Sequence, residues 1–318
     1  MNKSKCPICK SMNTIKFGKR KGIQTYKCKE CGYRFRNNKT PSEMEIWQLY
    51  QANKQTVKEL SQTYGLSEST IKRALKNITI QWEQPQLEGG GYVHIDATYW
   101  GHNWGVMLAM DDASGKVLYM EFIKSETNAD YETAVDSIKS RGYEIKGLIV
   151  DGRQSLFKLF SMYKLQMCHF HMKEIVKRYL TNNPKLNAAK ELKNLTGRLT
   201  TSTKEEFEAA YLKWKSDWDK TLCRRSHLKS GKKPFTHKRL RSAMHSFDFY
   251  LPYLFTFQEP ECKGMPNTNN KIEGTFTDLK KNLNNHSGMS EENRKRFISG
   301  FFLAWGNTED KKKKEGLE

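Results

Sequence analysis

Four cysteines near the start of the chain stand in two Cys-x-x-Cys pairs, Cys6 with Cys9 and Cys28 with Cys31. Each short turn points two sulfurs to one side, and the stretch between the pairs is long enough for a hairpin that gathers four thiolates around one structural Zn2+. A redox role would need a single pair beside a strand-helix unit, not two pairs bracketing a Lys-rich stretch. Three acids are the other candidates for chemistry: Asp96 in an alternating stretch, Asp151 before Gly152 at the end of an apolar run, and Glu273 one position off an apolar helical stripe. Acids that converge can share divalent cations, since Mg2+ takes hard oxygen ligands and completes its octahedron with water and substrate phosphate. Taken singly, each has a plainer explanation: Asp96 as a loop cap, Asp151-Gly152 as a turn, Glu273 as a solvated charge in a first helical turn. The elements that carry them decide between the two.

The chain around them is strongly basic. Lys and Arg total 55 against 35 Asp and Glu in 318 residues, a formal charge of +20, which invites a polyanionic partner, nucleic acid first. At 37% hydrophobic and 12% aromatic it fills at least one core, which excludes a wholly disordered basic chain. No apolar run approaches the ~18 residues of a membrane span, and Met1 to Cys6 lacks the apolar stretch of a secretory signal, so a soluble, unexported protein without a membrane partner is expected. Seven cysteines, an odd number, argue against a disulfide scaffold.

At about 150 residues per domain the length predicts two domains, with room for a small third. Residues 1–38 read as a zinc ribbon whose basic and aromatic residues alternate (Lys16, Lys19, Arg20, Lys21, Tyr26, Tyr33, Arg34, Phe35, Arg36), either to touch phosphates or to keep a small module soluble. Residues 42–80 read as a helix-turn-helix. Ile46, Leu49 and Tyr50 stripe one helix, Val57, Leu60 and Tyr64 a second that Gly65 breaks, and Ile71, Leu75 and Ile78 a third capped by Ser67. With Lys72, Arg73 and Lys76 turned outward, the third helix suits a DNA major groove; a bundle used for packing alone is the alternative. Residues 81–91, with Pro85 and three glycines, read as a linker.

From 92 to 183 the pattern predicts strands over 92–99, 103–110 and 117–123, a helix over 128–141, a strand over 145–150, a helix over 153–163, a strand over 165–170 and a helix over 171–180. The order β-β-β-α-β-α-β-α is that of an α/β, ribonuclease-H-like mixed sheet, which sets Asp96 of its first strand beside Asp151 at the end of its fourth. Residues 184–264 read as an all-helical insertion with two apolar stripes, one through Ala188, Leu192, Leu195 and Leu199 and one through Phe207, Tyr211, Trp214 and Trp218. Residues 265–306 read as C-terminal catalytic helices carrying Glu273, and 307–318 as a basic disordered tail.

On this element order, Asp96, Asp151 and Glu273 resemble the DDE transposases of the retroviral-integrase superfamily. Cys168-His169-Phe170-His171 matches the Cys-x-x-His signature of the Mutator-like branch, and Thr268-Asn269-Asn270-Lys271-Ile272-Glu273 is similar to that branch's glutamate motif. The match covers roughly residues 92–303. It implies a bacterial, cytoplasmic and nucleoid-associated insertion-sequence transposase that binds the terminal repeats of its element and catalyses cleavage and strand transfer into target DNA. Asp96, Asp151 and Glu273 would be catalytic and hold two Mg2+ ions, which Mn2+ can replace, and joining two ends implies a homodimer or higher oligomer. Cys168 and His171 alone are too few for a structural zinc site, so they read as active-site-edge residues that pack or touch DNA.

The densest cationic stretch holds Arg224, Arg225, Lys229, Lys232, Lys233, Lys238, Arg239 and Arg241. Its Ser-Gly-Lys-Lys-Pro centre predicts a mobile loop suited to tracking a phosphate backbone, or a merely solvated one. Two rival classes stand beside the transposase. A transcription regulator would keep the ribbon and helix-turn-helix but have no use for convergent acids, and a stand-alone metal-dependent nuclease would cut but join no ends.

Overall fold

The computed structural model describes residues 5–20, 23–36, 41–51, 54–80, 86–101, 103–286 and 288–315, the last twelve of these as backbone alone. The chain divides into two compact units, 1–79 and 80–318.

In the first unit, β1 (Thr14–Arg20), β2 (Ile23–Cys28) and β3 (Arg34–Arg36) form an antiparallel sheet in the order β1-β2-β3. Buried Cys6 and Cys28 lie with Phe35 and Tyr26 in a small cluster, so the apolar support of this module is slight. Three helices follow: α1 (Glu43–Gln51), α2 (Val57–Tyr64) and α3 (Glu68–Asn77). Local sequence sets the borders. Thr56 and Glu59 close a capping box at the start of α2, Gly65 ends it at φ 62°, and the Ser67 hydroxyl accepts from the Thr70 amide to start α3. Of the stripe residues, Ile46, Tyr50, Leu60, Ile71 and Leu75 are buried, Ile78 is buried just past the end of α3, and Leu49, Val57 and Tyr64 are partly buried; Trp47, outside the stripes, is buried as well.

The second unit is built on a five-stranded mixed sheet. Its strands are β4 (Gly90–Trp100), β5 (Trp104–Asp111), β6 (Val117–Ile123), β7 (Glu144–Val150) and β8 (Leu165–Met167), in the order β6-β5-β4-β7-β8. The first three pair antiparallel; β7 runs parallel to β4, and β8 to β7. This is the ribonuclease-H-like order, 3-2-1-4-5 within the sheet. The crossovers are α4 (Asn128–Ser140) and the short α5 (Gln154–Leu159), and α6 (His169–Leu180) leaves the sheet for the insertion. The insertion comprises α7 (Asn187–Gly197), α8 (Lys204–Asp217), α9 (Asp219–Cys223) and α10 (Lys238–Leu254). Leu192, Leu199, Phe207, Tyr211 and Phe247 of this region are buried in the same apolar core as Val93, Met107 and Leu148 of the sheet. α11 (Asn270–Asn284) and α12 (Glu291–Glu315) complete the unit.

Several expected borders move. β4 starts at Gly90, inside the expected linker, because a side chain at position 90 would meet Glu144 at 2.6 Å; glycine lets the strands close there. Residues 81–85 of that linker lie outside the described residues. The strand expected over 165–170 ends at Met167, because its partner β7 ends at Val150 and the two residues pair. Cys168 then donates its amide to the Val150 carbonyl and becomes the residue that starts α6. The backbone of the expected disordered tail is helical as far as Glu315; 316–318 lie outside the described residues. The basic loop is an ordered hairpin-like turn rather than a free one. Arg225 bridges Phe235, Leu228 donates to Lys232, and the Phe235 ring lies between the guanidinium groups of Arg225 and Arg241, 3.9 and 3.6 Å away.

Candidate active site

β4 pairs with β7 through Val93 with Leu148 and His94 with Ile149. Two residues further on, the same register sets Asp96 across from Asp151, at the roughly 4.8 Å spacing of neighbouring strands. Asp151 is fixed just past the end of β7, where one carboxylate oxygen accepts from the Arg153 amide at 3.0 Å. Burial and the charge of Asp151 hold the Asp96 carboxyl well above the usual carboxylate range, and Glu273 and Glu126 add to the push. The Ala97 amide, donating at 2.8 Å, opposes it. Among the described residues no basic side chain pairs with Asp96.

Glu273 arrives from 122 positions beyond Asp151 because the start of α11 is fastened to the sheet. Asn269, which precedes the helix and is fully buried, donates its amide to the Cys168 sulfur at 3.2 Å, and its side-chain amide lies 2.8 Å from His94 Nδ1. The His169 amide donates to the Asn267 carbonyl at 2.9 Å. His94 is also fully buried, and its Nε2 sits 3.0 Å from the Asp112 carboxylate, which can only accept. Nε2 therefore donates to that carboxylate, and Nδ1 pairs with the Asn269 side-chain amide. Against its burial, the bond from His94 keeps Asp112 below the usual carboxylate range, and Lys271 of α11 closes the network on the Asp112 carbonyl. Glu273 itself lies in the first turn of α11, half-buried, and burial raises its carboxyl while nearby His171 lowers it.

The structure thus brings Asp96, Asp151 and Glu273 into one electrostatic neighbourhood, with Cys168 and His171 at its rim: one donor atom each from Cys168, His171 and Glu273 lie within 4.8 Å of one another. Burial pushes the Cys168 thiol up to about 11. Cys6, Cys9, Cys28 and Cys31 gather separately, with sulfurs of Cys6 and Cys31 3.6 Å apart and of Cys9 and Cys28 3.4 Å apart. A tetrahedron of Zn–S bonds has edges of about 3.8 Å, so the cluster fits a structural Zn2+. Lys72, Arg73 and Lys76 are exposed on α3, Lys72 within 3.7 Å of Glu68. Lys232, Lys233, Lys238 and Arg239 are exposed in the second unit and Arg241 partly so; Arg239 donates to the Arg178 carbonyl at 2.6 Å and Arg241 to that of Leu222 at 3.1 Å.

Several site residues carry no sequence signal. Glu126 precedes the capping box of α4 and accepts from the Tyr131 hydroxyl, 3.8 Å from Arg153. His94 looks like one more residue of an alternating strand, and Asn269 like one of three asparagines. Their placement inside the fold is what distinguishes them.

No protein-family model matches the sequence, and no curated protein matches it. Among solved structures, a similar chain occurs in the cryo-EM structure of a simian T-cell lymphotropic virus intasome in complex with PP2A regulatory subunit B56 gamma. That likeness covers 59% of this chain and 60% of that chain, at 10% sequence identity and a TM-score of 0.21.

Proposed function

We propose that the protein is a DNA transposase of an insertion sequence, a metal-dependent polynucleotidyl transferase whose catalytic residues are Asp96, Asp151 and Glu273. The observation that carries the proposal is the Asp96 carboxyl, buried and crowded by Asp151, Glu273 and Glu126 from other parts of the chain, with no basic partner among the described residues. A buried carboxylate crowded by other acids and lacking a basic partner of its own fits hard divalent cations. Two Mg2+ ions held by Asp96, Asp151 and Glu273 would supply an activated oxygen nucleophile and neutralise charge on the leaving oxygen. The chain's own part is orientation. β4 and β7 hold Asp96 and Asp151, and the His94, Asn269 and Cys168 network sets the first turn of α11, from which Glu273 would join them on the metal. Arg153 is held beside Asp151 by Asn128 and Ser155, at 3.3 and 3.2 Å, where its guanidinium can meet a phosphate. Lys72, Arg73 and Lys76 would read the element ends, and Lys232, Lys233 and Lys238 would follow the backbone of double-stranded DNA. The proposed partners are terminal-repeat and target DNA and a second copy of the chain.

The test uses duplexes that carry the sequences flanking the protein's own reading frame. Wild type is expected to nick them and join pre-cut 3′ ends to a second duplex only when Mg2+ or Mn2+ is added. Asp96→Ala, Asp151→Ala and Glu273→Ala are expected to abolish both steps while binding the duplex as wild type does. Full strand transfer in any of the three would overturn the assignment. Cutting without joining would favour a nuclease, and binding without either step a regulator.

A further inference from the structure

Two buried atoms at the rim of the acidic cluster face each other without hydrogen-bond partners: His171 Nδ1 and Glu273 Oε1, 3.7 Å apart. Cys168 stands beside them, three residues before His171 at the start of the same helix, and one donor atom from each of the three lies within 4.8 Å of the others. The sequence offers only the Cys168 and His171 pair; the fold supplies the third donor. A tetrahedral zinc ion has bonds of about 2.0–2.3 Å to nitrogen, oxygen and sulfur, which separates its ligand atoms by roughly 3.3–3.7 Å. The His171 and Glu273 pair needs to close by about 0.3 Å to reach the edge for a nitrogen and an oxygen ligand, and the sulfur by about 1 Å. The Asn269 amide donates to that sulfur at 3.2 Å, the kind of outer support that orients a ligating thiolate. His171 and Glu273 are each 27% exposed, although their facing atoms are buried.

A mixed sulfur, nitrogen and oxygen set does not suit Mg2+, which takes oxygen, but suits a softer ion. We infer that Cys168, His171 and Glu273 form a binding site for a transition-metal ion of the Zn2+ class, distinct from the ribbon, and that filling it withdraws Glu273 from Asp96 and Asp151 and inhibits DNA cleavage. On binding, the Cys168 thiol gives up its proton to the buffer and the imidazole binds in its neutral form, so each ion releases about one proton. The inhibition rests on the role proposed above for Glu273; the site itself does not.

Full-length protein carrying one equivalent of Zn2+ in the ribbon is titrated with Co2+ in the absence of DNA. One further equivalent is expected to bind, with a near-ultraviolet thiolate-to-cobalt band. Cys168→Ser should lose the band, and His171→Ala and Glu273→Gln should each weaken binding roughly tenfold or more. Circular dichroism checks that each variant folds, and half-exposed His171 tolerates the change even if buried Cys168 does not. Uptake of no second equivalent, or a band and affinity that survive both Cys168→Ser and His171→Ala, overturns the site. Separately, Zn2+ is expected to suppress Mg2+-supported nicking by wild type at least tenfold, and His171→Ala much less, each relative to its own zinc-free rate. Cobalt uptake with zinc-insensitive nicking would overturn the inhibition alone. Cobalt uptake with no Mg2+-dependent nicking by wild type would remove the transferase role and the inhibition that rests on it, and would leave the metal site standing.

Discussion

The bond between His94 and Asn269 is one of the ties that hold α11, and with it Glu273, to the sheet, and it can be tested by a double-mutant cycle. Both residues are fully buried and their polar atoms lie 2.8 Å apart. Asn269→Ala leaves the His94 ring nitrogen without a partner and without access to water, a cost of about 1–3 kcal/mol. His94→Ala orphans the Asn269 amide in the same way and opens a cavity as well, about 2–5 kcal/mol together. Asp112, half-buried and close to Lys271, loses less. In the double variant neither orphan exists, so its cost should fall short of the sum by about 1–2 kcal/mol. Hydrogen exchange in the first turns of α11 reads this directly: with 1.4 kcal/mol per factor of ten, Asn269→Ala should speed exchange there about 5- to 150-fold. Since Glu273 is in the same turn, DNA cleavage should fall by up to ~10²-fold with little change in DNA affinity, as expected when a reacting group is displaced by about 1 Å. Additive costs within ~0.5 kcal/mol, or unchanged exchange in α11, would refute the tie.

Asp96→Asn tests the crowding of the acids. The native Asp96 carboxyl binds a proton more tightly than the unfolded one, so stability falls as pH rises from the ordinary value of 3.8 towards the raised native value, and the penalty persists above it. In EDTA above neutral pH the Asn variant is therefore expected to melt higher than wild type, and Mg2+ to raise the melting temperature of wild type alone; a wild type that is the more stable in EDTA contradicts the crowding. Stripping Zn2+ with a strong chelator, or Cys28→Ser, should remove amide protection from β1 and β2, because the buried apolar support described for this sheet is the small cluster around Cys6, Cys28 and Phe35; protection that survives chelation would show that the metal is dispensable. Replacing Lys232, Lys233 and Lys238 together by Ala should lower the slope of log affinity for DNA against log salt by roughly 3, and an unchanged slope would take the basic turn off the DNA path.

Sequence by itself determined what depends on neighbours along the chain. Cys-x-x-Cys spacing specifies a four-sulfur cluster, alternation and helical stripes specify the strands and the insertion helices, and Thr56, Gly65 and Ser67 set helix borders, because each is governed by local backbone geometry. Element order was also enough to anticipate that Asp96 and Asp151 would be neighbours, since parallel register between two strands follows from where their apolar runs end. Tertiary structure alone decided the rest. β8 stops where β7 stops, which turns Cys168 from a strand residue into the start of a helix and brings His171 round to Glu273. Gly90 is strand rather than linker because Glu144 of a distant strand presses on it. His94 and Asn269, 175 positions apart, have no mark in the sequence; what makes them matter is that both are buried, and a buried polar group must find its partner wherever the fold has put it.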